Sequence, residues 1–211
     1  MENIERARKP EVVLLSHTPD PERIVATAMR QSRFKGGVVG VKLTRDDIKR
    51  LIELALNLKH FSVFEHVNFT FAIEGISRSC SHQFVRHRFF SFTQQSQRYV
   101  KEHGFPFVIP LTIQSEERAL SLFLKLMEDI DDAYKELSQL VPVEDARFVL
   151  PNATETKIVA TANARELMHF LKLRLAPVAQ WEIRALAESM FNEVSKVAPN
   201  IFKENNIKFF E

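Results

Sequence analysis

The chain has 211 residues, with 29 Lys and Arg against 27 Asp and Glu and a formal charge of +2, so overall charge gives no reason to expect a nucleic-acid partner and any basic site must be local. The single cysteine, Cys80, excludes an intramolecular disulfide framework and a cysteine-built zinc site, and no apolar run approaches the length of a membrane span. Eighteen Phe beside one Trp and two Tyr point to an aromatic-rich core or subunit interface.

MENIERARKPE opens the sequence with charge and lacks the apolar centre of a secretion signal, so the expectation is a cytoplasmic protein. EVVLLSH (11–17) reads as a short buried strand. Pro21 opens a helix that runs to about Ser32, and FKGGVVG (34–40) is a Gly-containing loop. Thr44 with Asp47 three residues later makes an N-terminal capping pattern. Behind it Ile48, Leu51, Ile52, Ala55, Leu56 and Leu58 recur at helical spacing, which predicts a helix over 45–59. HVNFTFAI (66–73) alternates: Val67, Phe69, Phe71 and Ile73 face one way, and His66, Asn68 and Thr70 the other. That is a strand with one face in the core.

Helical spacing returns from Ile76 to about Arg88 and puts Arg78, His82 and Arg86 on one side. SFTQQSQRYV reads as extended or irregular, and FPFVIP (105–110) ends at a Pro. Ser115 to Leu140 is a long amphipathic helix. Pro142 starts a short helical segment carrying Arg147, stopped before Pro151. TKIVATA (156–162) is a β-branched strand. NARELMHFLKLRL (163–175) is a helix with Asn163 as N-cap and Glu166 in the capping-box position. A last helix spans about Val178 to Lys196 and ends before Pro199. With no internal repeat and no dividing linker, residues 1–211 read as one mixed domain. The fold class is α/β of the α+β type, an antiparallel-rich sheet packed with helices.

From Gly75 to Lys101 there is no Asp or Glu, while Arg78, Arg86, Arg88, Arg98 and Lys101 are all basic. Guanidinium groups grip phosphate in bidentate fashion, and Ser91, Thr93 and Ser96 add hydroxyls suited to phosphate, ribose or base. The ordinary alternative is a solvated basic loop, and most surface charge does no chemistry. The RHR triplet followed by spaced Ser, Ser and Arg favours a phosphorylated ligand instead. The helix opening at Asn163 is a second candidate, because its first turn offers N–H groups and a positive dipole end. Asn163, Leu167, Phe170 and Arg174 share one face of it; Arg165 and His169 share a nearly opposite one. Its two Arg belong either in ligand pockets or in ion pairs with core acids.

Arg147, among Val143, Ala146, Phe148, Val149 and Leu150, is either a buried ion-pair partner or an anion ligand reaching another subunit. His60, His66, His82 and His87 do not make the i, i+4 pair with a nearby acid that marks a zinc site, so no metal is expected. Cys80 lacks a flanking nucleophile motif and reads as a small buried residue. No G-x-G-x-x-G or G-x-x-x-x-G-K-[ST] occurs, so a bound dinucleotide would be held by side chains and helix ends.

RHRFFSFTQQSQR resembles the signature of the flavin-dependent thymidylate synthases: R-H-R, two residues, Ser, four residues, Ser, one residue, Arg. Here those are Arg86, His87, Arg88, Ser91, Ser96 and Arg98. KHFSVFEHVNFTF (59–71), ARFVLP (146–151), NARELMHFLKLR (163–174) and AQWEI (179–183) are similar to other blocks of that family, in the same order. The likeness runs from about residue 20 to 190.

The resemblance implies reductive methylation of dUMP to dTMP. Methylenetetrahydrofolate and NADPH would be co-substrates, FAD a tightly bound hydride carrier, and the active sites would be assembled in a homotetramer. It implies a dUMP pocket of Gln83, Arg86, Gln94, Gln95, Ser96, Gln97, Arg98, Arg147 and Arg174, with Ser96 and Arg98 on the phosphate. FAD contacts would be Ser62, Arg86, His87, Arg88, Gln94, Asn163, Arg165 and His169, with His60 near flavin and folate. Arg174 would be the catalytic residue, stabilising negative charge at uracil N3 or its neighbouring carbonyl. Some members carry Asn at Thr93, Glu at Gln94 and Asn at His169. The competing expectation is a nucleic-acid-binding protein that uses the 75–101 stretch and its aromatics for phosphate contact and stacking. A third treats that stretch as an oligomerisation surface without catalysis.

Overall fold

The structure, a computed structural model, describes residues 6–209; the first five residues of the charged N-terminal stretch lie outside them. Strand β1 (Glu11–His17) leads into helix α1 (Pro21–Arg33) and helix α2 (Arg45–Asn57), which pack on one another. The cap of α2 is reciprocal. Asp47 N–H donates to Thr44 Oγ1 at 3.2 Å, and Thr44 N–H donates to the Asp47 carboxylate at 3.2 Å. A 3₁₀ segment, Phe61–His66, precedes strand β2 (Asn68–Ser77); Phe69, Phe71 and Ile73 of the strand, and Val67 just before it, are buried as the alternation requires.

Helix α3 (Arg78–Phe84) and strand β3 (Ser91–Gln94) follow, then helices α4 (Leu111–Gln114), α5 (Glu117–Leu140) and α6 (Val143–Ala146). After a 3₁₀ turn at Arg147–Val149 come strand β4 (Glu155–Asn163) and helices α7 (Ala164–Arg174), α8 (Trp181–Val197) and α9 (Glu204–Phe209). The four strands form one antiparallel sheet in the order β1-β2-β4-β3.

Several elements differ from the sequence reading, among them the Leu111–Gln114 helix, which it did not contain, the start of β2 at Asn68 rather than His66, and the start of α8 at Trp181 rather than about Val178. β1 is an edge strand, and its Val13 and Leu15 are 49% and 55% exposed, so its apolar run is not a buried one. The helix expected over 76–88 is only Arg78–Phe84. Ile76 and Ser77 complete β2, and the Ser77 hydroxyl caps α3 by accepting from Cys80 N–H at 3.0 Å. Arg86 therefore lies past the helix end and leaves the register shared by Arg78 and His82. The helix expected over 115–140 begins at Glu117, because Glu116 caps it by accepting from Arg118 N–H and Ala119 N–H.

The chain forms two compact units, each built from separated segments. One takes residues up to Glu11, Ile73–Arg86 and Thr93–Ile158; the other takes Val12–Ala72, His87–Phe92 and Val159 onward. The first unit packs Phe105, Phe107 and Ile109 on Met127 of α5, with Phe123 edge-on to Phe107 at 5.8 Å. Its tightest point is Gly75, at φ +71°. A Cβ there would lie 1.9 Å from the Lys9 carbonyl oxygen, so both the dihedral and the close backbone approach require glycine. The second unit buries Val25, Met29, Ile52, Phe64, Leu167, Phe170 and Met190, and sets Phe69 edge-on to Phe202 at 5.4 Å. Among the described residues no helix is long and apolar enough to cross a membrane.

Candidate active site

In the first unit the β3 region threads its polar side chains into a hydrogen-bonded frame. The Gln94 amide donates to Ser81 Oγ at 3.1 Å and to Thr156 Oγ1 at 2.9 Å, so both its protons are held within the unit. Gln95 donates its N–H to the Lys157 carbonyl at 2.9 Å and accepts from Arg78 Nη2 at 3.0 Å through its own carbonyl. Ser96 Oγ accepts from Arg98 N–H at 3.2 Å, which sets the turn that carries Arg98. Past α3, the Gln83 carbonyl accepts from Arg86 N–H at 3.3 Å and leaves the Arg86 side chain exposed.

Arg98 and Arg147 converge on one residue. Arg98 contacts the Glu144 carboxylate through Nε and Nη2, both at 3.0 Å, and Arg147 Nε donates to the Glu144 backbone carbonyl at 3.0 Å. One guanidinium at the exposed carboxylate and a second at the backbone carbonyl of the same residue form a pair that can accept a dianionic phosphate. Close by in sequence, the buried Nε2 of Gln97 has no hydrogen-bond partner, nor has the buried Nε of Arg78. Buried donors left this way are costly unless a ligand or water satisfies them.

Burial holds the Arg78 guanidinium below its ordinary value; Glu102 opposes that shift and Arg147 adds to it. Burial likewise raises Glu102, against the pull of Arg78 and with the push of Glu155. A half-buried cation and a buried acid of this unit thus act on one another through their charges.

In the second unit the site forms on helix α7. Asn163 Oδ1 accepts from Glu166 N–H at 2.9 Å, so the cap read from sequence is present and leaves the Asn163 amide protons uncommitted to it. Arg165, exposed, pairs with Glu65 of the 3₁₀ segment. His169 and Arg88 are exposed, as is Ser62. His60 Nε2 lies 3.0 Å from Arg33 Nη2. The exposed Arg88 and Arg165 guanidiniums, the exposed His169 imidazole and the Asn163 amide are a donor set that fits the diphosphate and polar edges of a flavin dinucleotide.

His87 behaves differently from its neighbours. Its ring is 6% exposed, and its Nε2 accepts from Arg174 Nε at 3.1 Å. Its Nδ1 faces Glu166 Oε1 at 3.7 Å.

The structure thus groups Gln83, Arg86, Gln94, Gln95, Ser96, Gln97, Arg98 and Arg147 in the first unit. Ser62, His60, His87, Arg88, Asn163, Arg165, His169 and Arg174 lie in the second. Sequence reasoning did not place Arg78, Glu144 or Glu166 in the site. Arg78 had a signal, since it lies in the acid-free stretch. Glu166, Phe170 and Arg174 recur at i, i+4 and i+8, which could have marked a shared side. Glu144 had none. Cys80 is fully buried, so the sole thiol faces no substrate. Among the described residues no group of three or more His, Cys, Asp or Glu is placed to hold a metal ion.

The family model described as thymidylate synthase complementing protein matches residues 13–200. A flavin-dependent thymidylate synthase of Geobacter sulfurreducens is 50% identical over 198 residues, covering 92% of this chain and 85% of its own. One from Clostridium tetani is 43% identical, covering 91% of this chain and 85% of its own. Among solved structures, a UMP/dUMP methylase from Streptomyces cacaoi bound with 5-Br dUMP aligns with a TM-score of 0.84 at 26% identity, over 93% of this chain and 94% of that one. Thymidylate synthase X from Helicobacter pylori with FAD and dUMP aligns with a TM-score of 0.74 at 24% identity, over 94% of this chain and 99% of that one, a likeness of fold.

Proposed function

This chain belongs to the flavin-dependent thymidylate synthases, and on that premise we propose how its residues divide the reaction. The activity is the reductive methylation of dUMP to dTMP with a flavin. Methylenetetrahydrofolate donates the carbon and NADPH the reducing equivalents. Residues 1–211 act as one synthase domain, in a cytoplasmic homotetramer.

The dUMP phosphate is held by Ser96, Arg98 and Arg147, with Arg98 exchanging the Glu144 carboxylate for the phosphate oxygens. Gln83, Arg86, Gln94, Gln95 and Gln97 surround the nucleoside, and the unpartnered Gln97 Nε2 is a donor for its polar edge. Flavin is held by the exposed Ser62, Arg86, Arg88, Arg165 and His169 together with Asn163 and Gln94; His87, expected at the flavin as well, has its ring buried and turned to Arg174 and Glu166, and His60 lies at the flavin and folate. When bound, the flavin supplies hydride transfer.

Arg174 makes the uracil ring reactive by stabilising negative charge at N3 or the adjoining carbonyl. No thiolate adds to the ring. The observation that carries this reading is the complete burial of Cys80, in a chain whose Arg98, Arg147 and Arg174 guanidiniums suit anionic and polarised ligands. Electrostatics and orientation then take the place of covalent activation.

The test is NADPH oxidation by the purified flavoprotein with dUMP and methylenetetrahydrofolate, read alongside dTMP formation and the flavin absorbance on adding dUMP. Turnover needing both substrates, with a spectral shift, is expected. A colourless preparation that cannot be reconstituted with FAD, and that binds RNA or DNA with steep salt dependence, would overturn the reading in favour of the nucleic-acid alternative.

A further inference from the structure

The environment of His87 is unlike that of the exposed basic residues on either side of it. One side of α7 presents Glu166, Phe170 and Arg174, successive at four-residue spacing, and all three meet the His87 ring. Phe170 stands edge-on to it at 4.9 Å and 84°, Phe90 closes it at 6.3 Å, and His169 lies 6.3 Å away. Arg174 Nε donates to Nε2 at 3.1 Å. A guanidinium has donors only, so the nitrogen that accepts from it carries no proton. The ring proton of the neutral imidazole then sits on Nδ1, the nitrogen turned to the buried Glu166 carboxylate at 3.7 Å. The two partners therefore select one tautomer from opposite sides of the ring.

We propose that His87, oriented by Glu166, is a positioning residue that fixes the Arg174 guanidinium for the uracil ring. It rests on the reading that Arg174 acts on dUMP. The bond to Nε holds the planar guanidinium at its stem, so that Nη1 and Nη2 are fixed together as one rigid fork. The carboxylate balances the Arg174 charge through the ring. Arg side chains carry high rotamer entropy. Without this anchor the fork would sample geometries in which it misses the developing charge. Binding of dUMP, held elsewhere by its phosphate, would change little.

The experiment compares His87→Gln, His87→Leu and Glu166→Gln holoenzymes with wild type and with Arg174→Ala. It measures flavin content, KM for dUMP and kcat per bound flavin. His87→Leu should lower kcat about 30- to 100-fold, the loss a misplaced catalytic group produces, with KM for dUMP and flavin content within about threefold. The Gln side-chain oxygen can replace the Nε2 acceptor, so His87→Gln should recover to within about tenfold of wild type. Glu166→Gln keeps the shape but not the charge and should lose about five- to tenfold in kcat.

A His87→Leu variant that loses flavin while keeping kcat per flavin would overturn the proposal in favour of a direct flavin contact. So would unchanged kcat in Glu166→Gln, which decides the matter if His87→Leu does not fold. Inactive Arg174→Ala beside unaffected His87 variants overturns this inference alone. Active Arg174→Ala overturns the Arg174 reading and the inference with it.

Discussion

Arg98 in the first unit and Arg174 in the second meet their neighbours in opposite ways. Arg98 is about half exposed and pairs with an equally exposed Glu144, an arrangement worth a fraction of a kcal/mol and easily exchanged. Arg174 is half-buried, tied through Nε to a buried histidine that is itself faced by a buried carboxylate. The first suits a group that must release one anion to take another. The second suits a group that must already be aimed when charge develops, because electrostatic stabilisation is largest when nothing has to reorganise.

The comparison breaks most visibly at Arg174. Arg174→Ala should retain FAD and bind dUMP while losing about 10²- to 10³-fold in kcat, the scale of deleting one preorganised donor. Near-normal turnover, measured as dTMP formed per bound flavin, removes Arg174 from the chemistry. Next come Ser96→Ala and Arg98→Ala, expected to weaken dUMP about 10- to 100-fold, as loss of a charge-assisted hydrogen bond does, with flavin binding unaffected. Titrating flavin absorbance with dUMP and flavin stoichiometry separates the two; equal losses for both ligands would dissolve the assignment.

Two smaller effects sharpen the contrast. Glu144→Gln removes the anion that Arg98 must give up, so dUMP should bind about two- to threefold tighter at low salt. That gain should fade as ionic strength rises. A weaker dUMP complex in that variant would mean Glu144 supports the substrate rather than competing with it.

Smallest is Glu102. Its folded-state value is raised above the ordinary 4.5, chiefly by burial. The stability it contributes is therefore full below that ordinary value and lost as pH rises through the folded-state value. Glu102→Gln never ionises, so it should melt about 1–3 °C above wild type at pH 8. The difference should vanish near pH 4, and thermal melts at both pH values check it.

Local rules made most elements readable. The Thr44–Asp47 box, the alternation of Val67 to Ile73 and the Asn163 cap each act within a few residues, and each stands where the sequence placed it. β1 was misread because VVLL looks the same whether the strand is central or at an edge; only pairing decides that. The 76–88 helix was overextended because the apolar spacing around Phe84 continues past the residues that can be helical. Gly75 and the Ser77 cap fix its start, and neither announces itself in periodicity.

The candidate residues were legible as chemistry, since guanidiniums and hydroxyls in an acid-free run suggest an anion. Their partners were not. Glu144 and Glu166 are ordinary acids on helices, and only tertiary packing brings one to Arg98 and the other to His87. The RHR triplet shows the limit plainly. Three adjacent basic residues look alike in one dimension, yet two are exposed and the middle one is buried.

The sole sulfhydryl, on α3 and wholly enclosed, gives the molecule an internal clock. An alkylating reagent should leave the native chain unmodified and still turning over. One added label would then mark, irreversibly, each molecule in which the first unit has opened. Following that mass increment with time, with and without nucleotide, would time the breathing of the fold without introducing a probe.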